Sequence, residues 1–224
     1  MITQHKSDGR EGLKPVQKAV EHLVILGHPS NRSFDAAIAR RYVETVEANH
    51  QVAVLRDLYA MHFDPCLKEE ERFPSGDYTL PGDVALELSL IEKCDVVTFV
   101  YPLWFGVPPA IIKGYLDRVF GAAFRLSDLG GDERTLVAGK HLAVLSTSAA
   151  TKPWLDSQGM WISLRQSFET YLKTVFGFSD CSHYHAASIV DGLSQANADQ
   201  VLLKVAEFTR NLCANAAKSK RGLR

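Results

Sequence analysis

The sequence lacks both a long apolar run and an excess of charge of one sign. Its 25 Lys and Arg residues are balanced by 26 Asp and Glu residues, which gives a net charge of −1. No apolar run reaches the ~18 residues that a membrane-spanning helix needs, and the first eighteen residues lack the apolar centre of a signal peptide. We therefore expect no nucleic-acid binding, no membrane insertion and a cytoplasmic location.

Cysteine is also scarce, because the chain has only four and none of them forms a Cys-x-x-Cys pair. This pattern argues against a zinc site and against a disulfide framework. The histidines are equally scattered along the chain. A lone histidine is more often a surface or satisfied core residue than a catalytic one. We therefore assign no catalytic role to four of them: His50, His141, His183 and His185.

Three motifs of well-defined chemistry are missing. The segment after the first predicted strand has a single glycine, Gly27. It therefore lacks the Gly-x-Gly-x-x-Gly of Rossmann dinucleotide-binding domains and the Gly-Lys-Ser/Thr of a P-loop. The Gly-x-Ser-x-Gly elbow of serine hydrolases is absent as well. These absences exclude three common enzyme classes that are built on α/β sheets.

What the sequence does contain is a regular alternation of apolar strands with amphipathic helices. Short β-branched runs predict five strands, and each is followed by residues at helical spacing. This alternation is typical of a parallel, doubly wound α/β sheet in a single domain. We expect a loose arm at residues 1–20, the domain at 21–217 and a basic tail at 218–224. The strands are expected at residues 22–27, 51–55, 95–100, 141–146 and 183–190.

The first loop at the functional edge of this sheet is polar. Ligands of such sheets bind outside the carboxyl ends of the strands, where residues 28–34, 102–109 and 147–158 are expected to lie. Ser30, Arg32 and Ser33 stand directly before a predicted helix. Free N–H groups at a helix N-terminus favour an anion, which hydroxyls and an arginine would strengthen. The alternative is that Ser33 simply caps the helix.

The second loop exposes large rings at the same edge. Trp104 and Phe105 follow a buried strand, and prolines on both sides limit the flexibility of the backbone. A rigid apolar slot of this kind suits a flat heteroaromatic ligand. Aromatic residues are also common in cores and at dimer interfaces, and the loop by itself leaves both interpretations open.

The stretch that follows the third predicted strand resembles a known signature. Residues 101–108 read YPLWFGVP and residues 110–120 read AIIKGYLDRVF, which is similar to the NAD(P)H:quinone oxidoreductase (DT-diaphorase and modulator-of-drug-activity) family. His28-Pro29 and Ser33-Phe34 in the first loop are similar too, and so are the residues at 57–65. The resemblance runs from about residue 22 to residue 178.

The resemblance implies a flavodoxin-like three-layer sandwich with helices on both faces of a five-stranded sheet in the order 2-1-3-4-5. It further implies a homodimer that binds FAD or FMN. Such an enzyme takes hydride from NAD(P)H and passes it to a quinone-type acceptor in a ping-pong cycle. By matching motif positions, the flavin tail would contact His28, Ser33 and Phe34, and the anion-favouring Ser30 and Arg32 are added to this set. The flavin ring would contact Pro102, Leu103, Trp104 and Phe105, and its polar edge would contact Thr147 and Ser148. The substrate would contact Phe124 and Trp154.

The chain departs from the family pattern in the third loop. Members usually carry Thr-Thr-Gly-Gly or a near relative there, whereas this chain has Thr147-Ser148-Ala149-Ala150. The Tyr and His that assist proton transfer in the mammalian enzymes have no clear counterpart around Trp161, so no catalytic side chain is assigned. The alternatives to a quinone reductase are an azo, nitro or chromate reductase, an electron carrier, and a non-catalytic flavin-binding regulatory subunit of a transporter.

Overall fold

Five parallel strands form a single sheet in the order β2-β1-β3-β4-β5, which confirms the predicted flavodoxin-like topology. The computed structural model describes residues 18–72, 79–124 and 135–222. Most of the predicted N-terminal arm, residues 1–17, lies outside them. The strands are β1 (Glu21–Leu26), β2 (Val52–Asp57), β3 (Val96–Pro102), β4 (His141–Thr147) and β5 (Asp180–Ala186).

Helices pack on both faces of the sheet, as predicted. A short 3-10 turn at Glu69–Glu71 follows β2. Two helices continue through a π-helical turn, at Leu116–Phe120 and at Arg165–Thr170, and such turns occur often near functional sites. The helices are α1 (Phe34–Ala48), α2 (Gly82–Lys93), α3 (Ala110–Tyr115), α4 (Lys152–Ser157), α5 (Met160–Leu164), α6 (Tyr171–Phe176) and α7 (Gln195–Gly222).

The last strand differs from its prediction. It runs from residue 180 to residue 186, whereas the sequence pattern predicted 183–190. The register with β4 decides its bounds, because His141 lies opposite Asp180 and Thr147 lies opposite Ala186. A strand at the edge of a sheet can carry polar residues such as those at 180–182. A prediction based on apolar residues therefore places the start of this strand too late. Beyond it, Ser188 leaves the ladder and donates its backbone N–H to the Ala150 carbonyl.

The C-terminal helix continues into the segment predicted as a basic tail. Residues 218–222 belong to α7. There Lys220 donates to the Asp95 carboxylate, with 2.6 Å between Nζ and Oδ2. Within residues 18–72, 79–124 and 135–222, no helix is long and apolar enough to cross a membrane.

The core lies in two layers, one on each face of the sheet. Leu23, Ile25 and Phe99 point to one face, where α2 and α3 cover them. Val24 and Val100 point to the other face, which α1 and α7 cover. Because successive residues of a strand alternate between faces, strands buried on both sides are mostly apolar, and this holds for β1 after His22 and for β3 apart from Thr98.

A histidine is buried among polar partners inside the second layer. The ring of His22 lies between Tyr42 and Gln51, with 2.7 Å from Nδ1 to the tyrosine oxygen and 2.8 Å from Nε2 to the amide oxygen. Because that amide oxygen only accepts, His22 donates from Nε2 and accepts at Nδ1 as a neutral ring. Burial lowers the pKa of His22 to about 4, although the hydrogen bond to Gln51 opposes the shift.

We expect His22 to make the fold acid-sensitive. The unfolded chain takes up a proton below its ordinary pKa of 6.5, whereas the folded chain resists protonation until about 4. The contribution of neutral His22 to the free energy of unfolding is therefore fully present above pH 6.5. It is lost as the pH falls towards 4, and the loss amounts to about 3 kcal/mol. Urea denaturation across this pH range should show that the free energy of unfolding of His22→Gln depends less steeply on pH than that of the wild type. The exposed-site control His50→Asn should keep the wild-type slope, and an unchanged slope in His22→Gln would contradict the assignment.

Candidate functional site

Three loops meet at the carboxyl edge of the sheet. They follow β1, β3 and β4, which are neighbours in the strand order. A backbone hydrogen bond of 2.7 Å from the Leu103 N–H to the Thr147 carbonyl joins the second loop to the third. Residues 28–34, 102–109 and 147–158 therefore form one continuous surface, as the topology predicted.

The first loop is ordered by its own polar groups. Ser33 is the N-cap of α1, and its Oγ accepts from the Ala36 N–H at 3.1 Å, so the capping interpretation is confirmed. His28 Nδ1 accepts from the Ser30 N–H at 3.0 Å, and Ser30 Oγ accepts from the Arg32 N–H at 3.3 Å. Burial lowers the pKa of His28. The loop therefore presents a neutral imidazole, a hydroxyl and a guanidinium at the start of a helix.

The second loop turns back on itself and holds its rings away from the core. Trp104 and Val107 exchange two backbone hydrogen bonds of 3.1 and 3.2 Å. Phe105 and Gly106 between them both have positive φ, at 52° and 82°, as in a type I′ turn. Positive φ is uncommon for a phenylalanine and is a sign of a functional constraint. The Phe105 ring is fully exposed and Trp104 is 40% exposed, so neither is a core residue of this chain.

A cavity of about 560 Å³ opens at the N-terminus of α1. Polar and apolar side chains share its lining, and we call it the polar cavity because it is the more polar of two adjoining ones. Its volume is within the range of small-molecule sites. It brings together ten of the residues that the sequence predicted for a cofactor, and it also receives residues that the sequence did not single out, among them Asp35 and Asp191. The ten predicted residues are His28, Ser30, Arg32, Ser33, Phe34, Pro102, Leu103, Trp104, Thr147 and Ser148.

A second, mostly apolar cavity of about 440 Å³ adjoins the first. Three residues line both cavities, namely Leu103, Ser148 and Ala149. The predicted residues Phe105 and Trp154 lie in this second cavity. The predicted residue Phe124 instead lines a separate groove of about 510 Å³ on another part of the surface, beside Tyr171. The structure therefore does not bring Phe124 to the two adjoining cavities.

Asp35 contributes a buried carboxylate to the lining of the polar cavity. It is 3% exposed, and the Thr147 hydroxyl donates to its carboxylate at 3.1 Å from either oxygen. Burial raises the pKa of Asp35 to about 6, and the bond from Thr147 opposes the shift. The Thr147 hydroxyl is thus committed to Asp35, whereas Ser148 carries the hydroxyl at the junction of the cavities.

Behind the junction lies a polar chain that the sequence did not reveal. His183 and His185 of β5 both bond to Ser146 of β4, and His185 also bonds to Ser148. Glu169, from the π-helical turn before α6, bonds to His183. The signal that could have found this chain is a pair of alternating serines, Ser146 on β4 and Ser148 just after it, beside two alternating histidines on β5. It becomes visible only when Ser146 is placed opposite His185 in the register.

The paired cavities fit a ligand that has an anionic tail and a flat apolar head. A hydroxyl, a guanidinium and the start of a 15-residue helix favour an anion in the polar cavity. Trp154 and Trp161 in the second cavity favour a planar group. The fold and the site together define a doubly wound α/β protein with a nucleotide-type site at the switch point of its strand order.

Comparison with known proteins places the chain in a family. A family described as having a flavodoxin-like fold matches residues 21–211, and the chain belongs to it. An uncharacterized NAD(P)H oxidoreductase of Haemophilus influenzae is 39% identical over 124 residues, which are 55% of this chain and 61% of that protein. NAD(P)H dehydrogenase [quinone] 1 of Cavia porcellus is 36% identical over 120 residues, 46% of this chain and 43% of that protein. The resemblance drawn from the motifs is thereby confirmed.

A solved structure shares the fold at low identity. General stress protein 14 of Treponema denticola, determined in complex with FMN, aligns with a TM-score of 0.59 and 18% identity over 88% of this chain and 99% of that chain. The chain spans 61% and 43% of the two relatives named above.

Proposed function

We propose that the protein binds a flavin in the paired cavities and uses it to transfer hydride from NAD(P)H to a quinone-type acceptor by a ping-pong cycle. The observation that carries the proposal is the junction of a polar cavity with an apolar one along Leu103, Ser148 and Ala149. The names of the two relatives and the FMN complex of the structural neighbour support the same activity.

The phosphate-bearing tail of the flavin belongs in the polar cavity. Ser30 and Arg32 line it at the positive end of the α1 dipole. Arg32 is exposed, so its guanidinium can turn towards a phosphate without breaking a buried contact. Ionised Asp35 would repel the phosphate, and the raised pKa of Asp35 reduces that repulsion below about pH 6.

The flavin ring belongs against the second loop. Pro102, Leu103 and Trp104 line the cavity where the tail ends. Trp104 packs against His28 with 5.6 Å between ring centroids, which restricts both rings. Nicotinamide and then the acceptor would use the adjoining apolar cavity beside Trp154 and Trp161.

The bound flavin supplies the hydride chemistry, because no amino-acid side chain carries a hydride reversibly. The protein orients the rings and provides polar groups at their edge. With the Thr147 hydroxyl bonded to Asp35, the hydroxyl that lines both cavities is that of Ser148, which can turn from the Ala150 carbonyl to a ligand. The homodimer implied by the resemblance stays a prediction.

Absorbance near 450 nm of the purified protein, with mass measurement of the released flavin, tests the cofactor and separates FAD from FMN. Oxidation of NADH and NADPH with menadione, and with an azo dye in parallel, tests the activity and the acceptor. Turnover no faster than that of free flavin would reject the enzyme and favour the regulatory subunit. A colourless protein that takes up no added flavin would reject the site itself.

Arg32→Gln tests the position of the phosphate. We expect it to weaken FMN binding about tenfold or more, since a charge-assisted hydrogen bond contributes about 1.5–3 kcal/mol. Binding of riboflavin, which has no phosphate, should be unchanged. The control Arg41→Gln removes the same charge from α1 at a residue that pairs with Glu44 and should leave both affinities as they are. Equal losses for FMN and riboflavin would contradict the assignment. Fluorescence titration of both flavins measures the result.

A further inference from the structure

Five side chains form a continuous hydrogen-bonded chain that ends at the junction of the cavities. From Ser148 Oγ it is 3.0 Å to His185 Nε2, and from His185 Nδ1 it is 2.8 Å to Ser146 Oγ. From Ser146 Oγ it is 2.7 Å to His183 Nε2, and His183 Nδ1 bonds to Glu169 Oε1. We call these five residues the polar chain.

The direction of donation at the cavity end follows from one carbonyl. Ser148 Oγ lies 3.0 Å from the Ala150 carbonyl oxygen, which can only accept, so the serine hydroxyl donates to it. His185 must then donate its Nε2–H to Ser148 Oγ. Burial lowers the pKa of His185 to about 4, so the ring is neutral and its Nδ1 accepts from the Ser146 hydroxyl.

The same accounting at the buried end requires an additional proton. Since the Ser146 hydroxyl donates to His185, it must accept from His183 Nε2–H. If His183 carries a hydrogen on Nε2, its bond to Glu169 through Nδ1 needs one more hydrogen between those two atoms. The Glu169–His183 pair therefore holds one proton more than an ionised carboxylate beside a neutral imidazole. From His183 to Ser148, each donor therefore points along the polar chain towards its cavity end.

The environment keeps this proton inside the protein. The side chains of Glu169 and His183 are each 3% exposed. Trp161 covers both histidine rings, with 4.9 Å between its ring centroid and each of theirs, and it lines the apolar cavity. Lys152 lies over the Trp161 ring at 5.4 Å, and its charge opposes protonation of His185.

The other charged and polar neighbours of the chain gather at Glu169. Arg165 donates to Glu169 Oε2 at 3.3 Å, and Cys181 Sγ lies 3.8 Å from the same oxygen. These donors stabilise the carboxylate form and place the additional proton on His183. The side chain of Arg165 is 51% exposed, so the buried Glu169 carboxylate has a bonding partner that is in contact with the solvent.

We propose that the polar chain is a proton relay that delivers a proton to the acceptor in the apolar cavity, an inference that rests on the proposed function. Reduction of a quinone to a hydroquinone consumes one hydride and one proton. Ser148 turns its hydroxyl from the Ala150 carbonyl to the acceptor oxygen, gives it the hydrogen and takes the Nε2 hydrogen of His185. His185 takes the hydrogen of Ser146 at Nδ1, and Ser146 takes the Nε2 hydrogen of His183. The Glu169–His183 pair is left one proton poorer, and solvent restores it beside Arg165.

Interrupting the relay should affect only acceptors that need a proton. Ser146 is fully buried and lines neither cavity, so Ser146→Ala removes the central link without changing the site. In the flavin-loaded protein we expect the rate of menadione reduction to fall about 100-fold, the usual scale of general acid catalysis. The rate with ferricyanide, which takes electrons without a proton, should not change.

The matched control is Ser182→Ala on β5, the strand that carries both histidines. Ser182 shares its sheet face with Tyr184, opposite the face of His183 and His185, and both rates should stay at the wild-type level. The solvent deuterium isotope effect on menadione reduction should grow in Ser146→Ala. An unchanged menadione rate, or an equal loss with both acceptors, would overturn the relay.

The spectra of the ring nitrogens provide a second readout that needs neither flavin nor turnover. In ¹⁵N NMR at neutral pH, we expect His183 to carry hydrogens on both nitrogens and His185 to carry one on Nε2 alone, with His183→Gln used for assignment. A His183 ring without hydrogen on Nε2 would overturn the relay. Wild-type protein without turnover rejects the proposed function, whereas normal turnover with an unaffected Ser146→Ala rejects the relay alone.

Discussion

Replacing Gly114 with alanine is expected to lower the free energy of unfolding by about 3 kcal/mol or more, since even ordinary overpacking of a core costs about 1–3 kcal/mol. A Cβ at this position would lie 2.3 Å from the Cβ and the carbonyl oxygen of Pro65 and 2.5 Å from its Cα. Two of these atoms are backbone, so no rotation of a side chain relieves the overlap. Either α3 or the loop at Pro65 must move away from the core.

The same change seven residues later provides the control. An alanine Cβ at Gly121 meets no atom within 4 Å, so Gly121→Ala should stabilise the protein by about 0.5–1 kcal/mol through the lower backbone entropy of the unfolded chain. Urea denaturation of both variants gives the two free energies. Similar values for Gly114→Ala and Gly121→Ala would show that the contact with Pro65 does not limit the packing of α3.

This contact also explains part of the sequence resemblance in physical terms. Gly114 lies in the segment at 110–120 and Pro65 lies in the segment at 57–65, the two stretches that resemble the quinone reductase family on either side of β3. The glycine is needed because the loop after β2 crosses α3 at backbone distance. A motif that looked like a signature of function is thus partly a requirement of packing next to the aromatic loop.

The central strands could be predicted from the sequence because burial on both faces leaves no other pattern. β1 and β3 are covered by helices on each side, so continuous apolar runs mark them. The apolar pattern does not mark β5, because β5 is the last strand in the sheet order. Among the described residues no strand pairs with its outer side, and polar residues are tolerated there. Its bounds depend on the pairing of His141 with Asp180, which no local pattern contains.

The candidate site also has one part that local sequence patterns predict and another that depends on strand pairing. The polar first loop and the aromatic second loop are each one continuous stretch of sequence, so each could be recognised by itself. Their residues meet as predicted around the paired cavities. The polar chain depends instead on the register of two strands and on a π-helical turn that presents Glu169. His183 and His185, each considered alone, are ordinary scattered histidines. Only tertiary structure makes them partners of Ser146.

Arg118 is buried in the π-helical turn that follows α3, where it holds the segment before α2 in place. Its guanidinium donates to Glu71 at 2.7 and 3.0 Å and to the Asp64 carbonyl at 2.7 Å. It also donates to the half-exposed carboxylate of Asp83 and lies over the Phe63 ring, 5.2 Å from its centroid. The side chains of Arg118 and Glu71 are only 2% and 4% exposed, so neither charge is well hydrated.

Arg118→Met should therefore cost about 3–5 kcal/mol, because it leaves the Glu71 carboxylate buried without its partner. The double variant Arg118→Met with Glu71→Gln removes both charges and should recover most of that loss, since a neutral amide costs much less to bury than an unpaired carboxylate. The single variant Asp83→Asn should cost less than about 1 kcal/mol, because its carboxylate is 48% exposed and water screens the pair. Urea denaturation of the variants measures all three values. A double variant as unstable as Arg118→Met alone would show that the loss comes from the packing of the arginine stem against Phe63, and not from the stranded charge.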